Sequence, residues 1–313
     1  MVGGIPEGLT KILFVDYGNG KDGVSEKSNS VNRPFKTIEK AHGLITTNKN
    51  EGIALMGSST HTLTAMLEIT KNRMHIFGYD PGGRMYGQNA KISLGVTTAA
   101  TDIAAMQNTG VRNSFTNVKF MDSNTVTESL YAVAEGGEFT VYSNVGINKS
   151  TVLSTALASD LLMNGDSSQF YNCTIGSLVG ASERDTAGAG SKQRPNVLFD
   201  RETITGKVCR DGLFCNCIFM ITAGHVDIRP MYGTNATDIE RMLTIRGCEF
   251  WNAKLAAAEP AEAIDFGATQ TRGEILIKDC TIMNITKVST AVGVYLDAGS
   301  APAGTVGIAV QAT

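Results

Sequence analysis

The chain has 313 residues, a formal net charge of −3 and 18% charged residues, against 34 glycines. This balance gives no electrostatic basis for nucleic-acid binding, and no apolar run approaches the ~20 residues of a membrane-crossing helix. Residues 1–7 lack the basic and apolar regions of an export signal, so the six cysteines are expected to stay reduced, as in a cytosol.

In chain order, Leu13, Phe14, Val15 and Asp16 predict a first strand, followed by a glycine-rich loop over 17–23. Pro34 stands where a first helical residue would. Phe35, Ile38, Ala41 or His42, and Ile45 then recur at helical spacing, which predicts a short helix with one apolar face. Such a helix would cover the open end of a stack of strands. Residues 52–55, 67–69 and 74–80 read as strands.

Beyond residue 114 one six-residue pattern recurs, at 115–120, 142–147, 170–175, 214–219, 245–250 and 277–282. Its third position is Asn117, Asn144, Asn172, Asn216, Gly247 and Asp279, and its fourth is Val118, Val145, Cys173, Cys217, Cys248 and Cys280. Apolar residues two apart share a strand face, but the first and fourth positions are three apart. A one-residue bend must lie between them, and Gly, Asn and Asp enter the left-handed region most readily. Strand, bend, strand with all apolar groups inward is the corner of a solenoid.

The steps from Val118 through Cys280 are 27, 28, 44, 31 and 32 residues, a unit with variable insertions. Stacked coils would align Phe115, Tyr142, Phe170 and Phe214 as an aromatic column beside a column of four cysteines. The fold class expected is all-β, a single-stranded right-handed parallel β-helix, with the hand taken from the rule for parallel crossovers. It would be one domain over 1–313: strand, loop and capping helix to about 50, coils over about 51–300, and a terminal strand or tail over 301–313. The 44-residue step predicts a surface excursion over 182–194. At the other end, 291–296 and the alternating 305–310 read as strands.

The run from the glycine-rich loop through Pro34, Phe35, Lys36, Thr37 and Ile38 to Lys71, Asn72 and Gly78 resembles the opening of pectate-lyase-like β-helix proteins. More narrowly it resembles the β-helices of bacteriophage virions, including tail spikes and capsid-associated proteins. The resemblance covers about 13–80, and the coil motif extends it at fold level to about 285. It implies a non-enzymatic structural protein of a phage particle, a capsid decoration or cement protein or else a spike or fibre component. The partners would then be other virion proteins or further copies of itself, and the location the virion after synthesis in the host cytoplasm. The alternative is a polysaccharide depolymerase or lyase of tail-spike type acting on host surface glycan. The basic motif and aspartate cluster of the pectate lyases themselves are absent.

Five groups of residues carry possible chemistry. Asp16, Asn19 and Asp22 could hold calcium, but the EF-hand spacing fails at Gly18 and a plain turn accounts for them. Cys209, Cys215 and Cys217 could bind a metal as thiolates, and Cys215 and Cys217 could share a strand face; no fourth ligand has a usual spacing, and core packing is preferred. The histidines His42, His61, His75 and His225 form no metal motif. His225, Asp227 and Arg229 alternate with Val226 and Ile228, as a proton-transfer site or a solvated strand face would. Glu183, Asp185, Asp200 and Glu202 are candidate paired acids for glycosidic cleavage, or a loop balanced by Arg184, Lys192, Arg194 and Arg201. The bland reading is preferred in each case, so no catalytic, cofactor-binding or metal residue is assigned.

Overall fold

The computed structural model describes residues 8–57, 59–79, 88–95, 103–122, 130–149, 158–176, 195–201, 203–221, 229–233, 238–253, 262–265, 273–285 and, for its backbone, 294–296. Their strands form three parallel sheets that the chain visits in rotation. Sheet 1 has ten strands from Lys11–Val15 to Val294–Leu296, sheet 2 has eight from Thr60–Leu63 to Thr281–Met283, and sheet 3 has seven from Leu67–Ile69 to Ile264–Asp265. Each strand pairs in parallel with its counterpart one coil away, so the chain is a parallel β-helix.

The repeated pattern forms the corner between sheets 1 and 2. Its bend residues all have positive φ: Asn117 54°, Asn144 53°, Asn172 52°, Asn216 53°, Gly247 62° and Asp279 54°. Inside that corner Ile53, Ile76, Phe115, Tyr142, Phe170, Phe214, Ile245 and Ile277 stand in one register column and are fully buried. The four aromatic rings stack at centroid distances of 4.8, 4.4 and 4.7 Å, close to the strand spacing itself. Each buried side chain of this size contributes ~1.5–3 kcal/mol, so the column is a principal source of stability.

Beside it runs the cysteine column, buried and free of disulfides. Each thiol lies against a carbonyl one coil back: Cys173 on Tyr142 (3.7 Å), Cys217 on Phe170 (3.4 Å), Cys248 on Phe214 (3.5 Å) and Cys280 on Ile245 (3.6 Å). Burial raises the pKa of the Cys217 and Cys248 thiols well above the ordinary value, which leaves them neutral and unreactive. Cys215 is buried too, but it does not share a strand face with Cys217. The bend at Asn216 separates it from Cys217, and Cys215 lies against Arg246 Nη2 at 3.6 Å while Cys217 enters the core.

The capping helix exists but starts later than Pro34 predicts. It spans Ile38–Leu44, with the Thr37 side chain accepting from Lys40 N at 3.3 Å as its N-cap. Phe35 instead bridges Val15 in extended conformation. Phe35, Ile38, Ala41 and Ile45 are all buried against the first coils. The C-terminal carbonyls of the helix receive two ammonium groups, Lys11 on Leu44 O (2.7 Å) and Lys71 on Ile45 O (2.6 Å), which also suit the helix dipole.

Candidate functional site on the outer face of sheet 3

Sheet 3 presents two different outer surfaces. Along its middle strands, Tyr131–Glu135, Ser159–Met163 and Val197–Phe199, every residue is buried. Tyr131, Ala134, Leu162 and Leu198 form a second apolar cluster with Ile204, which belongs to a segment folded back across the strands. A Lys207 to Glu138 ion pair (3.3 Å) fastens that segment, and Asp200 accepts from Thr203 Oγ1 at 3.0 Å. Desolvation in this cluster pushes the Tyr131 phenol up to about 12.

Towards the C-terminal end the apolar cover gives way to polar groups. Tyr232, on strand Met231–Gly233, lies at the margin of the apolar cluster and pairs in register with Asp265 on the next coil. Arg229 Nε lies 3.4 Å from Asp265 Oδ2, with both side chains largely buried. Asp238 is buried nearby and accepts from Arg201 N at 3.3 Å. The phenol of Tyr232 has its pKa raised, first by burial and then by the charges of Asp265 and Asp238, with Arg229 acting the other way. A phenol that keeps its proton beside a carboxylate oriented by a guanidinium can give a proton to a reacting oxygen while the carboxylate accepts one. Arg229 could also turn to a substrate carboxylate, since its fork matches that geometry.

Of the residues singled out in the sequence, the structure brings Arg229 into this cluster and puts Asp200 in the fold-back segment. His225, Asp227, Glu183, Asp185, Glu202, Arg184, Lys192, Arg194 and the excursion over 182–194 lie outside the described residues. So does the strand expected over 305–310. Asp16 is engaged by its own loop and Asp22 by the residues that lead into the helix. Asp16 Oδ1 accepts from Gly18 N (3.0 Å) and Asn19 N (3.2 Å), and Asp22 accepts from Lys36 N, Thr37 N and Thr37 Oγ1 at 2.9 to 3.0 Å. Gly20 is required there, because a Cβ would stand 2.1 Å from Phe35 O. His61 contacts Met56 O at 3.0 Å, and His75 bridges Ser114 and Asn50 at 2.6 and 2.7 Å. Among the described residues no three His, Cys, Asp or Glu side chains are placed to hold a metal ion. Tyr232, Asp238 and Asp265 are not legible in the sequence, because the strands of Tyr232 and Asp265 are only three and two residues long. The one signal is the spacing of Tyr232 and Asp265 by about one coil.

No protein-family model and no curated protein sequence matches the chain. Solved structures do. A pectin methylesterase from Aspergillus niger aligns with a TM-score of 0.59 and 12% identity, over 97% of this chain and 88% of that one. A pectate lyase aligns at 0.57 and 13%, over 94% and 74%. The pectin methylesterase of Erwinia chrysanthemi gives 0.58 and 12%, over 95% and 91%. The fold is the right-handed parallel β-helix of these proteins. At such identities the likeness is one of architecture, and function must be argued from the site.

Proposed function

We propose that this β-helix acts on an acidic polysaccharide at the C-terminal part of the outer face of sheet 3, with Tyr232 as proton donor and Asp265 as proton acceptor. The observation that carries this reading is the Arg229–Asp265 pair set beside a phenol of raised pKa on an outer face. The structural neighbours support the substrate class, since their names speak of pectin and pectate. The test is turnover of polygalacturonate, methyl-esterified pectin and rhamnogalacturonan, read as unsaturated product, new reducing ends or released methanol. General acid–base catalysis contributes ~10²- to 10⁴-fold, so Tyr232→Phe and Asp265→Asn should each cost about 10²-fold or more without loss of folding. Equal rates in both variants and parent would remove these residues from the chemistry.

A second reading is the structural virion component implied by the sequence. It draws on the covered middle of sheet 3, where Ile204 and its segment occupy the surface that a long chain would need. Mass spectrometry of purified phage particles tests it. Many copies co-sedimenting with heads would support decoration, and absence from the particle would end it.

A further inference from the structure

The corner between sheets 3 and 1 carries a feature unrelated to the Tyr232 cluster. Successive coils place Asn48, Arg73, Arg112, Phe139, Ser167 and Asp211 there, all with positive φ between 47° and 65°. For Arg and Phe this is uncommon backbone, and such outliers point to function when the surroundings enforce them. The surroundings do so here. Asn48 N donates to Asn72 O, Arg73 N to Val111 O, Arg112 N to Glu138 O and Phe139 N to Asp166 O, at 2.7 to 2.9 Å.

The side chains so displayed line a cleft of about 200 Å³ formed by Asn48, Asn72, Arg73, Val111, Arg112 and Phe139. Phe139 is 51% exposed, and the Arg112 guanidinium lies 5.9 Å from its ring centre. Neither Arg73 nor Arg112 has an ion-pair partner among the described residues, and the nearby Glu138 carboxylate is taken by Lys207. Two uncommitted guanidinium forks, amide side chains and an exposed ring at a rigid edge match a carboxylated sugar. The carboxylate takes the forks, the hydroxyls take the amides and the apolar sugar face takes the ring. Coils repeat every ~4.8 Å, so neighbouring positions can meet neighbouring sugars of one chain.

We infer that this corner is a second saccharide site, binding a uronic-acid-containing chain without acting on it. Asn is a well-tolerated residue in left-handed backbone, so Arg73→Asn, Arg112→Asn and Phe139→Asn remove the binding groups while relaxing the corner. The full chain and these variants are titrated calorimetrically with oligogalacturonate and with a neutral maltooligosaccharide of equal length. The expected result is a Kd for oligogalacturonate at least about tenfold weaker in the double arginine variant, with a Tm equal to or above the parent's. Phe139→Asn should lose severalfold, parent binding should weaken as salt rises, and the neutral sugar should bind poorly. Tyr232→Phe should leave this binding intact, which separates the site from the proposed reaction. Parent-like affinity in the double variant, or equal binding of the neutral sugar, overturns the inference.

Discussion

Two corners of this solenoid make the same backbone demand and answer it with different residues. Between sheets 1 and 2 the left-handed positions are Asn117, Asn144, Asn172, Asn216, Gly247 and Asp279, and between sheets 3 and 1 they are Asn48, Arg73, Arg112, Phe139, Ser167 and Asp211. Both corners are held alike. Asn144 N donates to Tyr171 O at 2.9 Å just as Arg112 N donates to Glu138 O at 2.7 Å, one coil ahead in each case. At the first corner the side chains also serve the stack, since Asn144 Nδ2 donates to Asn117 Oδ1 at 2.8 Å. Gly247 adds no side chain to that stack, and a Cβ there would come within 2.5 Å of Asn216 Oδ1. At the second corner Arg73, Arg112 and Phe139 point to solvent. With the φ requirement equal, the residue type at each bend reports what its side chain is for: backbone conformation and stacking at one corner, surface chemistry at the other.

The largest effect that separates the corners is expected from Asn144→Val. A β-branched residue at φ near 53° is strained by ~1–2 kcal/mol, and the amide bond to Asn117 is lost at ~1 kcal/mol more. Urea denaturation should show a loss of about 2–3 kcal/mol with an unchanged slope. A loss of only ~1–2 kcal/mol would mean that the asparagine stack adds little beyond the turn itself, and a change below about 0.5 kcal/mol would remove the turn requirement as well.

The same contrast explains what is legible in the sequence. The first corner announces itself because Asn, Gly and Asp at its bends are tolerant residues, flanked on both sides by core positions such as Phe170 and Cys173. From it the aromatic and cysteine columns follow, and so does the fold. The second corner is invisible, since Arg73, Arg112 and Phe139 carry no left-handed signature and are held by hydrogen bonds to the next coil, far away in sequence. The helix starts later than its sequence suggests because Pro34 suits a first helical turn, whereas Asp22 claims the backbone amides of Lys36 and Thr37. Arg229 stands out by alternation with its neighbours, yet its partner Asp265 lies on another coil and its companion Tyr232 has no such pattern around it. Local pattern encodes the coil; contacts between coils assemble the site.

A change of pH should affect the N-terminal cap and spare both corners. Burial, with the nearby Lys71 charge, lowers the His42 pKa from its usual 6.5 to about 4. The unfolded chain therefore binds the proton first as pH falls. Stability associated with neutral His42 is complete above about 6.5 and is lost progressively down to about 4. The pKa values of His61 and His75 are also lowered, chiefly by burial, and reinforce the trend at this end. Hydrogen exchange at pH 5 should show amides of helix Ile38–Leu44 losing protection while those of Asn144 and Phe139 keep theirs. His42→Gln should flatten the dependence; an unaltered pH profile in that variant would assign the acid sensitivity elsewhere.

The smallest expected effect is the most informative, because its sign opposes that of Asn144→Val within one coil. Phe139 lies five residues before Asn144, has the same φ of 53° and is 51% exposed, so its ring has little burial to lose. Replacing it with Asn relieves the cost of an aromatic residue in left-handed backbone, ~1–2 kcal/mol, and gives up one exposed contact with Arg112 worth ~0.5–1 kcal/mol. The net change is a gain of up to about 1.5 kcal/mol, read as a rise of a few degrees in Tm. A gain in stability together with weaker oligogalacturonate binding is the signature of a surface position kept for its ligand. A loss instead would show that Phe139 packs for stability like any core aromatic, and the two corners would then differ in composition but not in purpose.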